Sequence, residues 1–277
     1  MDKTAKISID AQERIAREIR ASAIRMSARG KASHLGSSLS CIDILVAIYW
    51  QVLSVDPKFP DSEDSDRFLL SKGHAAQALY ATLARRGFFD ESLLETYNQA
   101  GGQLAEHPGP NCVPGIEAAT GSLGHGLPIG VGLALAAKVR KSAAKVVVLL
   151  GDGECNEGSV WEAAMLAPAL DLNNLCVVVD FNKWQATDRS KNVMALASLP
   201  DKWAAFNWTT KEVDGHDLNA LADAFKGFPE ESQRPTAIIA HTVKGKGVSF
   251  MEDDNNWHYR IPSEEEAEAA YKELGIQ

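Results

Sequence analysis

The sequence predicts an α/β fold, a doubly wound parallel sheet with helices on both faces. Three observations lead there. The runs KVVVLL, LCVVVDF and TAIIAHTV are continuous and β-branched, as strands buried on both faces are. They alternate with helical segments, one from about Ser159 and one around Leu218 to Phe228, in the rhythm of a parallel sheet. Glycine is dense from Gly101 to Gly132 and again in GDGECNEG, just past the strand KVVVLL, and ligands in such sheets sit beyond the carboxyl ends of strands.

The remaining elements follow in order. Ile15, Ile19, Ile24 and Met26 share one face of a segment rich in Arg, Glu and Ala, which predicts an amphipathic helix ending near Gly30. CIDILVAIYW, Cys41 to Trp50, reads as a second and more buried helix. An acidic, proline-containing loop, SVDPKFPDSEDSD, precedes GHAAQALYATLARRG, a third helix closed by Gly87. GIEAATGSLGHGLPIGVGLALAAKV passes from loop into a helix lined with small residues, and PSEEEAEAAYKELGIQ predicts a peripheral charged helix over about 263–277. With no internal repeat and no dividing linker, residues 1–277 are expected to form a single domain.

Composition narrows the partners. A formal net charge of -9 argues against a nucleic acid or an anionic membrane, while leaving room for a local basic pocket that holds a small anion. The four cysteines, Cys41, Cys112, Cys155 and Cys176, form no C-x-x-C and read as reduced packing residues. No apolar run is long enough to span a bilayer and the amino end has no apolar signal core, so the expected location is the cytoplasm.

The stretch GDGECNEG, Gly151 to Gly158, carries the first chemical clue. Asp152 would ordinarily cap the next helix, but Ser159 and Glu162 supply an S-x-x-E capping box at that helix's expected start, which leaves Asp152 for another task. Gly151 and Gly153 beside it let an anionic ligand approach the backbone. A second strand ends in DFNKW and places Asn182 at the same sheet edge. A carboxylate, an amide oxygen and a main-chain carbonyl such as that of Trp184 are hard oxygen donors suited to Mg²⁺ or Ca²⁺.

GDGECNEG followed by DFN resembles the signature of thiamine-diphosphate enzymes. KASHLGSSLS, DRFLLSKGHA, AEHPG, ATGSLGHG and DNNWHYRIP then follow in the order typical of transketolases, from about residue 10 to residue 262. The chain is most similar to the separate N-terminal subunit of a split transketolase. The resemblance implies the thiamine-diphosphate-binding fold, with Mg²⁺ (or Ca²⁺) held by Asp152, Asn182 and the Trp184 carbonyl. Ser37, His74, Gly153, Asn182, Lys244 and His258 would lie around the cofactor, and Gly121, Ser122 and Leu123 would line its channel. His34, His107 and His258 are implied as catalytic groups facing the hydroxyls of a sugar phosphate, a role that suits imidazole. Glu157 and Glu162 resemble carboxylates at the family's subunit interface. A separate C-terminal subunit with the pyrimidine-binding domain is implied as partner, in an α2β2 heterotetramer. The sequence departs from the family pattern at Ser33 and Leu35, which flank His34, and at Arg189 beside the metal loop. His125 is balanced between a structural and a functional role; His216 and His241 read as structural, and Trp161, Trp203 and Trp208 as packing. A 2-oxo-acid dehydrogenase component, a deoxyxylulose-phosphate synthase-like component and a non-catalytic cofactor-binding partner are the alternatives.

Overall fold

The structure, a computed structural model, describes residues 7–230 and 233–276; the extreme ends of the expected 1–277 unit lie outside the described residues. Five parallel strands form one sheet in the order β1-β2-β3-β5-β4: β1 Arg67–Leu70, β2 Val146–Gly151, β3 Leu175–Phe181, β4 Thr209–Asp214 and β5 Thr236–His241. The three predicted strands are the central β2, β3 and β5, buried over almost their whole length. Gly151 pairs with Asp180, and Phe181 with His241. The central strands therefore finish almost level, and the loops after them start from one edge.

The helices are α1 Ile9–Gly30, α2 Leu35–Ser40, α3 Ile42–Ala47, α4 Ala76–Arg86, α5 Gly126–Arg140, α6 Gly158–Ala169, α7 Ser190–Val193, α8 Leu199–Ala205, α9 Leu218–Ala224 and α10 Glu264–Leu274. Strand side chains alternate between two cores, as the pleat requires. Val147, Leu149, Cys176, Val178 and Ile238 pack with α1, α3, α4, α9 and α10. Val146, Val148, Val177, Val179 and Ile239 pack with α5, α6 and α8. This is the doubly wound arrangement. CIDILVAIYW divides into α3 and a π-turn over Ile48–Val52, and the third predicted helix opens with a 3₁₀ turn, Gly73–Ala75, before α4. The tail helix, expected at the periphery, opens with a capping box of Ser263 and Glu266 and sends Ala267, Ala270 and Leu274 into the core beside α1.

An ion pair is buried between α1 and α3, with Arg20 Nη2 donating to Asp43 Oδ2 at 2.5 Å and His216 Nδ1 2.8 Å from the same oxygen. Burial alone would raise the Asp43 pKa, but Arg20 and the hydrogen bond from His216 hold it down at about 2, against an ordinary 3.8. The folded state thus binds this proton more weakly than the unfolded chain. The stabilisation is complete above the unfolded pKa and is lost as the pH falls through the folded one. Nearly two pKa units correspond to about 2 kcal/mol. Asp43→Asn is therefore expected to lower the unfolding free energy in urea by at least that amount at neutral pH, and to flatten its decline between about pH 4 and pH 2. An unchanged acid limb would refute the assignment.

Candidate active site

β2 leaves the core directly into Gly151-Asp152-Gly153. Asp152 is 2% exposed. Its Oδ1 accepts from Gly153 N at 3.0 Å, capping a 3₁₀ turn over Gly153–Asn156, while Oδ2 accepts from Lys183 N at 3.1 Å and Ser190 Oγ at 2.5 Å. This corrects the expected division of labour. α6 starts at Gly158 with Glu157 at its N-cap and no side-chain cap; Ser159 Oγ instead donates to the Gly124 carbonyl at 2.8 Å, so Ser159 and Glu162 form no capping box. Asp152 is thus a cap after all, but of the short turn, and its second oxygen ties the loop after β2 to the loop after β3. Burial drives its pKa up to about 6, and the nearby Asp180 carboxylate pushes the same way against the hydrogen bond from Ser190. A bound cation would reverse that shift.

Asn182 is 5% exposed, and its Oδ1 accepts from Trp184 N at 3.0 Å. The donors at this edge are one carboxylate, one amide and main-chain oxygens; among the described residues no three His, Cys, Asp or Glu side chains converge as a metal cluster. Such a set leaves positions to be filled by phosphate oxygens and water, as Mg²⁺ sites do. Beneath it lies an ion pair that joins two of the quoted motifs, Lys72 of DRFLLSKGHA and Asp180 of DFN. The Lys72 ammonium donates to Asp180 and, at 2.9 Å, to the Ser37 carbonyl, and Asp180 also accepts from Ser40 Oγ at 2.6 Å and from the Thr242 hydroxyl. A charged residue closing the end of a buried strand, as in VVVD, is the signal that marks Asp180 in the sequence.

Four histidines from separate segments meet beside this edge. The His34 ring centroid lies 5.3 Å from His74, 5.7 Å from His107 and 4.8 Å from His258. Close backbone approach makes this possible. A Cβ on Gly73 would lie 2.5 Å from the Thr120 carbonyl carbon, and one on Gly121, at φ 133°, would lie 2.6 Å from His107 Cδ2. Burial lowers the His34 pKa and drives His74 well below its ordinary value; burial and the Lys244 ammonium bring His258 down to about 3. These three rings are neutral at pH 7. Lys244, 1% exposed, places Nζ 2.7 Å from Asn255 Oδ1 and 3.0 Å from His258 Nδ1, and burial together with Lys72 lowers its pKa to about 8. A neutral His258 that accepts at Nδ1 carries its proton on Nε2.

Ser37 is buried, Gly121 and Leu123 are half-buried and Ser122 is exposed. The Gly-rich loop is tethered by Gly124 N, which donates to Glu154 Oε1 at 2.9 Å. His125 turns back on its own loop, with Nδ1 3.2 Å from the Ser122 and Leu123 carbonyls, and is exposed. His241 pairs with Glu212 at 2.7 Å. Trp203 and Trp208 are buried with Trp161 packed against them. Gly153 faces Gln185, whose Cγ would lie 3.1 Å from an added Cβ. Arg189 takes a definite part in the loop: it donates twice to Asp253 at 2.6 Å and lies 3.7 Å over the Trp184 ring, joining the Asn182 loop to the one that carries His258. Three buried polar atoms around the cleft, His34 Nδ1, Thr120 Oγ1 and Gln185 Nε2, have no hydrogen-bond partner among the described residues.

A parallel sheet whose carboxyl edge gathers an acid, an amide and a histidine cluster defines an α/β domain that binds its ligand at that edge. The chain belongs to the transketolase family, matching its thiamine diphosphate binding domain over residues 11–277. It is 42% identical to an apulose-4-phosphate transketolase subunit of Phocaeicola vulgatus over 246 residues, which span 89% of this chain and 87% of that one. A 6-deoxy-6-sulfo-D-fructose transketolase subunit of a Clostridium species is 39% identical over 87% of this chain and 88% of its own. The crystal structure of transketolase from Campylobacter jejuni superposes with a TM-score of 0.92 at 28% identity, covering 98% of this chain and 44% of that one. The chain therefore spans less than half the length of that solved enzyme.

Proposed function

We propose that this chain is the thiamine-diphosphate-binding subunit of a two-chain transketolase, which moves a two-carbon ketol unit from a ketose phosphate to an aldose phosphate. The observation that carries this reading is the meeting of the Asp152–Asn182 edge with the four-histidine cluster in one cleft. The cleft suits the cofactor: its oxygen donors are those Mg²⁺ (or Ca²⁺) takes, and His34 Nδ1, Thr120 Oγ1 and Gln185 Nε2 wait there for a partner. Asp152, Asn182 and the Trp184 carbonyl would hold the metal. Gly153, His74, Ser37, Lys244 and the loop Gly121 to Leu123 would surround the diphosphate and thiazolium. Bound thiamine diphosphate supplies a carbon centre able to cleave and re-form the bond beside a ketose carbonyl.

The chain's own residues do the rest. His258, held neutral by burial and by Lys244, presents its Nε2 proton as a hydrogen-bond donor to a sugar hydroxyl. His34, whose ring lies 5.7 Å from His107 and 4.8 Å from His258, and His107 orient neighbouring hydroxyls and pass protons. His74, half-buried between His34 and His258, lines the same cluster.

The partner is read from the relatives named as transketolase subunits and from an apolar face. Ile129 on α5 is 37% exposed, and Met165 and Leu166 on the adjoining α6 are 53% and 49% exposed. A complementary subunit carrying the pyrimidine-binding domain, in an α2β2 assembly, would cover such a surface, with Glu157 and Glu162 at its rim. The four cysteines are free and no helix among the described residues is long and apolar enough to cross a membrane, which agrees with a cytoplasmic setting. The test is an assay of two-carbon transfer from a ketose phosphate with thiamine diphosphate and Mg²⁺, on the purified chain alone and with its partner subunit. No turnover alone and full turnover with the partner is expected; full turnover without a second protein would overturn the reading.

A further inference from the structure

The turn after β5, Val243 to Gly247, carries Lys244 and is gripped from behind by groups that do not face the cleft. His216, in the turn just after β4 and 13% exposed at its side chain, accepts a hydrogen bond from Val243 N at Nε2, 2.8 Å away. Its Nδ1 lies 2.8 Å from Asp43 Oδ2, so the ring carries its proton on Nδ1 and donates it to that carboxylate. Arg20 donates through Nη2 to the same Asp43 oxygen at 2.5 Å and through Nε to the Lys246 carbonyl at 3.0 Å. One buried chain, from Arg20 through Asp43 to His216, thus holds both ends of a turn whose middle residue points its ammonium at His258 and Asn255. On the cleft side the turn is held at its centre, by Gly245 N donating to the Gly36 carbonyl at 3.0 Å and by Asp253 N donating to the Lys244 carbonyl at 2.8 Å.

We propose that Asp43 and His216 are positioning residues, which with Arg20 clamp the 243–246 turn and so fix the Lys244 ammonium beside His258. Packing alone does not account for the arrangement. A buried guanidinium needs one carboxylate, yet Asp43 is shared with an imidazole whose other nitrogen serves a single backbone amide of the cofactor-facing turn. That His216 Nε2 is an acceptor fixes which replacement restores function: glutamine can present an oxygen to Val243 N and alanine cannot. The inference rests on the assignment of Lys244 to the cofactor made above only for its second readout.

His216→Ala is the variant of choice, because removing Asp43 would strand Arg20. Two measurements are made on the full-length chain. Amide hydrogen exchange across residues 243–247 is expected to quicken by about tenfold or more in His216→Ala, with β2 and β3 unchanged, and to return toward the parent rate in His216→Gln. The affinity for thiamine diphosphate with Mg²⁺, titrated with the partner subunit present, is expected to fall by about 10–100-fold in His216→Ala and to recover in His216→Gln. Unchanged exchange in a folded His216→Ala overturns the proposal. Faster exchange with unchanged cofactor affinity supports the clamp and overturns the assignment of Lys244 to the cofactor.

Discussion

Asp152→Ala is expected to weaken binding of thiamine diphosphate in the presence of Mg²⁺ by at least about a hundredfold, since losing even a group behind a metal ligand costs roughly 10–100-fold. In this chain Asp152 is the one carboxylate assigned to the metal, so no neighbour replaces its charge. The same substitution frees Lys183 N and Ser190 Oγ, loosening the loop that presents Asn182 and Trp184. Asp152→Asn separates the two effects, because the amide keeps an acceptor for those donors but loses the charge. Both variants are expected to lose the Mg²⁺-dependent part of the affinity, measured as the difference between titrations with Mg²⁺ and with a chelator. Parent-like affinity in either folded variant would refute the metal assignment.

Asp180→Ala is expected to cost about 3–5 kcal/mol, because it leaves the Lys72 ammonium charged and uncompensated in the core. Both side chains are essentially inaccessible, at 1% and 0%. The Asp180 carboxylate is held ionised, burial notwithstanding, by Lys72 and by the hydroxyls of Ser40 and Thr242. At this chain length the loss amounts to roughly 10 °C in melting temperature. Lys72→Met combined with Asp180→Asn removes the stranded charge, so the double variant is expected to melt above Asp180→Ala. A double variant no more stable than the single one would mean that Lys72 is not the source of the cost.

The central strands were legible because three long β-branched runs leave little else to predict. β4, Thr209–Asp214, was not, because an edge strand buries only Val213 fully and its Lys211 and Glu212 read as loop. β1 is four residues long and directly follows an acidic loop, too short for periodicity to register. Within the site the histidines were visible through their motifs, and the structure gathers His34, His74, His107 and His258 while leaving His125 outside. Lys72, Asp180 and Asn255 lie within the quoted motifs, but their pairing was not visible, since a buried ion pair and a bridging amide depend on contacts between residues far apart in the chain. The Ser159–Glu162 pattern misled for a local reason: the helix begins one residue before Ser159, and the serine hydroxyl is spent on the Gly124 carbonyl.

The strand order has a consequence for how the molecule is made. β5, near the end of the chain, lies between β3 and β4, so β4 has no place in the sheet until β5 has arrived. Until residues 236–241 are available, β3 presents a bare edge of unpaired backbone groups, and its carboxyl end, at Asp180, lacks the Thr242 hydroxyl. Parallel pairing between distant segments is slow and leaves such edges open to aggregation. During synthesis the sheet cannot close until most of the polypeptide has emerged. A chain truncated before residue 236 would be protease-sensitive beyond β3, and one in which residues 236–242 are present and released would not.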